Sequence, residues 1–235
     1  MDTRTRHALK QDRFAAATAS SVGWLSSHRS AVMPIFISAA VVLVSLTGGL
    51  IYWNVSSTHA DSALGAALDT YDAVLAQPGA PAEPGAFTSA SERSKAADQK
   101  FAEVAKEYGW LPQGAKAHYF EGVTDQELGQ NAQAETELKT AAGSWDHNLS
   151  NLAKIALASL YHQTGRDNEA VDLYNAVAAK PSETVTAGMA QLNLAGMYAS
   201  EGKQDQARAL WAKVKDADKE GAAGQIATQK LAGRQ

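Results

Sequence analysis

One pattern constrains this chain more than any other. A glycine is followed five positions on by a small residue, and four positions after that by a bulky apolar one. The pattern falls at Gly129–Ala134–Leu138, Gly165–Ala170–Tyr174 and Gly202–Ala207–Trp211, with steps of 36 and 37 residues. Ahead of each glycine stands another small residue: Gly122, Ala158 and Ala195. Tyr161 and Tyr198 lie three positions after the last two of these. Self-similarity at such a period means one supersecondary unit used repeatedly, each unit too small to bury its own apolar face. The composition selects helix for that unit, because Ala, Gln, Glu, Lys and Leu lose little side-chain freedom there. Only one run of the sequence is rich in Val and Ile, and it is far too long and apolar for a strand.

The repeat resembles the tetratricopeptide repeat (TPR), in which a small residue, a Tyr, a turn Gly, an Ala and an aromatic follow in this order within about 34 residues. The stretches beginning at Ile155 and Leu192 match strongly. The one beginning at Ala117 matches in part, since Asp125 stands where the Tyr is expected. The resemblance covers 92–217. An earlier degenerate unit is expected to pair a helix over 61–76 with a second helix carrying Ala97, Phe101 and Val104. Between them PGAPAEPGAFTSAS (78–91) holds three prolines and two glycines and reads as a loop. The expected fold is all-α: an N-terminal transmembrane helix, then a TPR-like α-solenoid of antiparallel helix pairs. Its parts are a basic tail over 1–30, the membrane helix over 31–54, a helix and loop over 55–91, the repeats over 92–217 and a capping helix over 218–235.

Ala31 to Trp53 carries no charged residue. As helix that run is roughly 34 Å long, enough for a hydrocarbon core of about 30 Å. Pro34 falls in the first turn, and Tyr52–Trp53 close the run as interfacial aromatics do. Of 21 Lys and Arg and 25 Asp and Glu, five and two lie in residues 1–30, which leaves 16 basic against 23 acidic side chains in the rest. Basic residues inside and none on Asn54–Ala60 put the N-terminus in the cytoplasm and the C-terminal domain outside. A cleaved signal peptide is the weaker alternative, because the apolar run exceeds the usual length and Thr58-His59-Ala60 is a poor cleavage site. So acidic a domain is also a poor ligand for nucleic acid.

Basic tail, single membrane helix and acidic repeat domain together resemble one group: membrane-anchored periplasmic TPR proteins similar to the ancillary subunit of the SecYEG translocon. The AHYFEG and LASLY stretches, with their turn glycines, carry that likeness. The resemblance implies a location in the inner membrane and partners among the translocon, envelope chaperones or secreted chains. It also implies a role in protein export or envelope assembly. The alternative is a scaffold that self-associates as a homo-oligomer, with Gly48–Gly49 offering a close helix contact.

No catalytic, cofactor or metal site is expected. The six histidines show no ligand spacing, and Walker, dinucleotide and nucleophile-elbow motifs are absent. With repeats starting at Ala115, Asn151 and Gly188, the partner-binding groove on the first helices is expected to present Lys116, Tyr119, Val123, Gln126, Leu152, Ile155, Ser159, His162, Met189, Leu192 and Gly196. Of these, Leu152, Ile155 and Leu192 fit the core equally well. Such a set is mixed to apolar and lacks the Lys, Arg and Asn of TPR domains that clamp a chaperone's acidic C-terminus.

Overall fold

The computed structural model describes residues 29–76 and 86–233. The basic tail and most of the Pro/Gly-rich loop expected over 78–91 lie outside the described residues. Among the described residues there are nine helices and no strand: α1 (Arg29–Tyr71), α2 (Ala90–Tyr108), α3 (Pro112–Glu127), α4 (Asn131–Ala142), α5 (His147–Gln163), α6 (Asp167–Ala179), α7 (Ala187–Ser200), α8 (Gln204–Ala217) and α9 (Ala222–Leu231). Two compact units divide the chain between Val55 and Ser56.

In the first unit α1 is apolar on all sides. An 18-residue window of it reaches a mean hydropathy of 2.2 with none of it buried, which makes it a candidate single membrane span. Thr47 donates its hydroxyl to the Leu43 carbonyl at 2.9 Å, so this polar side group is satisfied within the helix. α1 runs on without a break past Trp53, because nothing from Asn54 to Leu64 is a proline or glycine. The helix read over 61–76 is shorter than expected and stops at Tyr71. Beyond it Leu75 forms an isolated bridge with Phe87, in which the Phe87 N–H donates to the Val74 carbonyl and the Ala76 N–H to the Phe87 carbonyl.

In the second unit, helices from α2 onward pack against their neighbours in sequence. α3, α5, α7 and α9 also touch in succession, so the first helices of the pairs form one layer while α4, α6 and α8 form the other. The first bundle joins Leu64 and Ala67 of α1 to Ala97, Phe101 and Val104 of α2 and Ala117 of α3. Phe101 and Phe120 stack there with centroids 5.2 Å apart. α2 starts with a capping arrangement: Ser89 Oγ accepts the Glu92 N–H, and Glu92 accepts the Thr88 N–H in return.

The turn glycines do what their spacing requires. Gly129, Gly165 and Gly202 sit at the α3–α4, α5–α6 and α7–α8 bends with φ of 77, 76 and 77°, where an L side chain is strained. In each bend the next N–H reaches back over the glycine: Gln130 to the Asp125 carbonyl, Arg166 to Tyr161 and Lys203 to Tyr198. This is the hydrogen bond of a Schellman cap, and it closes the first helix of each pair. Ala134, Ala170 and Ala207 are fully buried where the paired helices cross, and Leu138, Tyr174 and Trp211 are buried with them. The small partners complete the interlock. A Cβ on Gly122 would stand 2.7 Å from Leu138 Cγ. Small against large lets the helix axes approach closely.

Candidate partner-binding cleft

α5, α6, α7 and α9 enclose an open cleft of about 510 Å³. α5 contributes Ser159 and His162, and α6 contributes Tyr174. Met189, Leu192, Asn193, Gly196, Met197 and Ser200 come from α7, and Ile226 from α9. Local sequence sets each wall. Thr186 caps α7 by accepting the Met189 N–H at 3.2 Å, which fixes the phase of its first turn. α9 lies close because Gly188 leaves room: a Cβ there would stand 2.8 Å from that of Ala223. Tyr174 is buried in the cleft floor, and burial pushes its phenol up to about 12.

Large apolar groups remain open at the rim, with Met189 43% and Ile226 45% exposed. Gly196 has nothing within 4 Å of a would-be Cβ, so the middle of α7 presents bare backbone to the cleft. A second hollow of about 420 Å³ shares Leu192, Gly196 and Ile226 and adds Arg208, Gln204 and Lys230. The apolar ridge is therefore flanked on one side by basic and amide groups.

His162 is held on both ring nitrogens. Nδ1 lies 2.8 Å from Asp167 Oδ1, and Nε2 lies 3.1 Å from Ser200 Oγ. Glu201 stands 3.6 Å away and is itself paired with Lys203 at 2.6 Å. The histidine therefore braces α5 against the start of α6 and the end of α7. His162, Asp167 and Glu201 are close enough to share a metal ion, and so are His118, Glu121 and Glu137. Neither set shows in the linear sequence, because each is assembled across different helices.

Of the expected groove positions, the cleft gathers Ser159, His162, Met189, Leu192 and Gly196. The others lie elsewhere. Tyr119, Val123 and Ile155 are half-buried against the core of α4 to α7. Leu152 packs with Ile155 on Val177, Val185 and Ala190. Lys116 is exposed and Gln126 half-buried, and neither lines the cleft. The cleft also uses Tyr174, Asn193, Met197, Ser200 and Ile226, which the sequence does not single out as groove residues. Ile226 shares a helical stripe with Ala223, Ala227 and Leu231, but it lies at the edge of that stripe, and only the two alanines are buried.

Antiparallel helix pairs, turned on left-handed glycines and stacked through a layer of first helices, define a helical-repeat domain of the kind that binds other proteins. The model of a family described as a tetratricopeptide repeat-like domain matches residues 32–181, and the chain belongs to that family. The match begins inside the apolar part of α1 and ends before α7. No curated protein and no solved structure matches the chain. Domains of this type are protein-interaction modules and are generally not catalysts.

Proposed function

We propose that this chain is a membrane-anchored binding protein whose α5–α7–α9 cleft takes an apolar or amphipathic segment of a partner protein. The observation that carries this is the cleft itself: Met189, Leu192 and Ile226 line a concave surface with open, adaptable apolar groups, beside bare backbone at Gly196. Methionine suits such a surface because its side chain adjusts to differing partners. The anchor is supported by the length and apolarity of α1, and its orientation by the basic side chains of residues 1–30. In this reading the repeat domain works on the outer face of the inner membrane and assists protein export or envelope assembly. Its partners are then the translocon, envelope chaperones or emerging secreted chains.

A photo-crosslinking residue at Met189 or Ile226 of the full chain in cells tests this. The expected adducts are export or envelope-assembly proteins, and Leu192→Asp abolishes them. Adducts only with a second copy of this chain would replace the binding role with that of a self-associating scaffold. Failure of either position to crosslink any protein would remove the cleft as the binding surface.

A further inference from the structure

α3 carries His118, Glu121 and Asp125 three and four residues apart, so they form one stripe on its surface. α4 brings Glu137 to this stripe and α2 brings Asp98. His118 Nδ1 lies 2.5 Å from Glu137 and 4.0 Å from Glu121. Asp98 accepts the Thr124 hydroxyl at 3.0 Å, and Thr124 is buried on α3 beside Asp125. Two carboxylates thus flank a single imidazole, and Asp98 and Asp125 add negative charge near Glu121. Among the described residues none of the four is ion-paired to a Lys or Arg, and His118 is their only basic partner. Asp125 is the most buried of them at 4% exposed, and no hydrogen-bond donor among the described residues reaches its carboxylate, which keeps only an edge towards solvent. A largely buried carboxylate without a counter-ion is costly, and other carboxylates beside it add to that cost.

We propose that this α2–α3–α4 cluster is a binding site for a divalent transition-metal ion, with His118, Glu121 and Glu137 as ligands and Asp125 and Asp98 supplying further negative charge. The three ligand atoms already lie within 4.8 Å of one another. Small rotamer changes of the two glutamates bring them to the 2.0–2.2 Å bonds typical of zinc with nitrogen and oxygen donors. One imidazole with several carboxylates suits zinc or manganese better than calcium or magnesium, which favour oxygen alone. The set around His162 lacks this excess of negative charge, since Lys203 already pairs with Glu201, and it serves as the control.

The test uses the full chain in detergent, stripped with a chelator and titrated calorimetrically with zinc chloride at pH 7.5. The expected result is one ion per chain, weakened at least tenfold by His118→Gln and by Glu121→Gln and less than twofold by His162→Gln. Glu121→Gln keeps the side-chain shape and removes a like charge, so a retained melting transition separates lost binding from lost folding. Cobalt chloride reports the imidazole independently, through a visible absorption that His118→Gln shifts or removes. The proposal is overturned if zinc does not saturate at one ion per chain. It is equally overturned if either cluster variant weakens binding by less than tenfold, or if His162→Gln weakens it as much as they do.

Discussion

Gly122→Ala is the smallest change that tests how the repeats interlock. The new methyl would sit 2.7 Å from Leu138 Cγ, 3.0 Å from Cδ2 and 3.1 Å from the Leu138 backbone nitrogen. Non-bonded carbons settle near 3.5–4.0 Å, so α3 and α4 must part by about 1 Å or Leu138 must leave its rotamer. Turning the side chain does not relieve the backbone contact, and the helix axes must therefore move. Overpacking of this kind costs about 1–3 kcal/mol. In a domain of this size each kcal/mol lowers the melting temperature by about 2–4 °C. The expected loss is therefore about 2–12 °C, read by circular dichroism on the full chain in detergent. Leu138→Ala alone opens a cavity at a fully buried site and costs about 2–5 kcal/mol. The double variant places the new methyl in the space the leucine leaves, so it should be more stable than the sum of the single losses predicts, by at least about 1 kcal/mol. Gly196→Ala is the counter-test. It lies within α7 with nothing near its would-be Cβ, and alanine should stabilise the helix there by up to about 1 kcal/mol. Additive losses at 122 and 138, or a Gly122→Ala variant as stable as the parent, would refute the interlock.

Gly165→Ala forces an L residue to a φ of 76° without any clash, so it should cost about 1–2 kcal/mol, read as a lower melting temperature. Asn151 is buried and donates to the Lys180 carbonyl at 2.9 Å; Asn151→Leu should cost about 1–3 kcal/mol through the orphaned carbonyl, measured by urea unfolding. With a chelator present, stability should also fall as pH rises through about 7 to 8. Asp125 and Glu121 have carboxyls raised to about 7 and about 8 in the folded chain, so it holds their protons more tightly than the unfolded chain does. That stabilisation is complete below the ordinary carboxylate pKa and is lost as pH climbs through the raised values. Glu121→Gln should therefore raise the melting temperature at pH 8.5 by about 2–4 °C, allowing for solvent screening, and should not raise it at pH 4.5. A parent chain whose melting temperature rises from pH 6 to pH 8.5 would contradict this.

How much of this was legible in the sequence depends on the range of the interaction concerned. The bends at Gly129, Gly165 and Gly202 were legible because a left-handed cap is a local demand that glycine meets without strain. Buried pairs such as Ala170 and Tyr174 were legible for a related reason: both lie on one helix, and its period fixes which side they share. The cleft was legible only in half. Helical phase places Ser159 and Met189 on the layer of first helices, but whether such a residue faces solvent depends on which neighbouring element packs over it. Leu152 and Ile155 pack on Val177, Val185 and Ala190 away from the cleft, whereas Leu192, equally half-buried against the core of α7 to α9, also lines it. The end of α1 at Tyr71 was not legible because Leu75 continues the helical spacing, while its backbone is drawn instead to Phe87 across the Pro/Gly-rich stretch. The cluster around His118 was the least visible, since Asp98 and Glu137 reach it from flanking helices and each looks alone like an ordinary solvated charge. Patterns confined to one helix can be read from the order of residues. A site assembled from three helices emerges only once their packing is known.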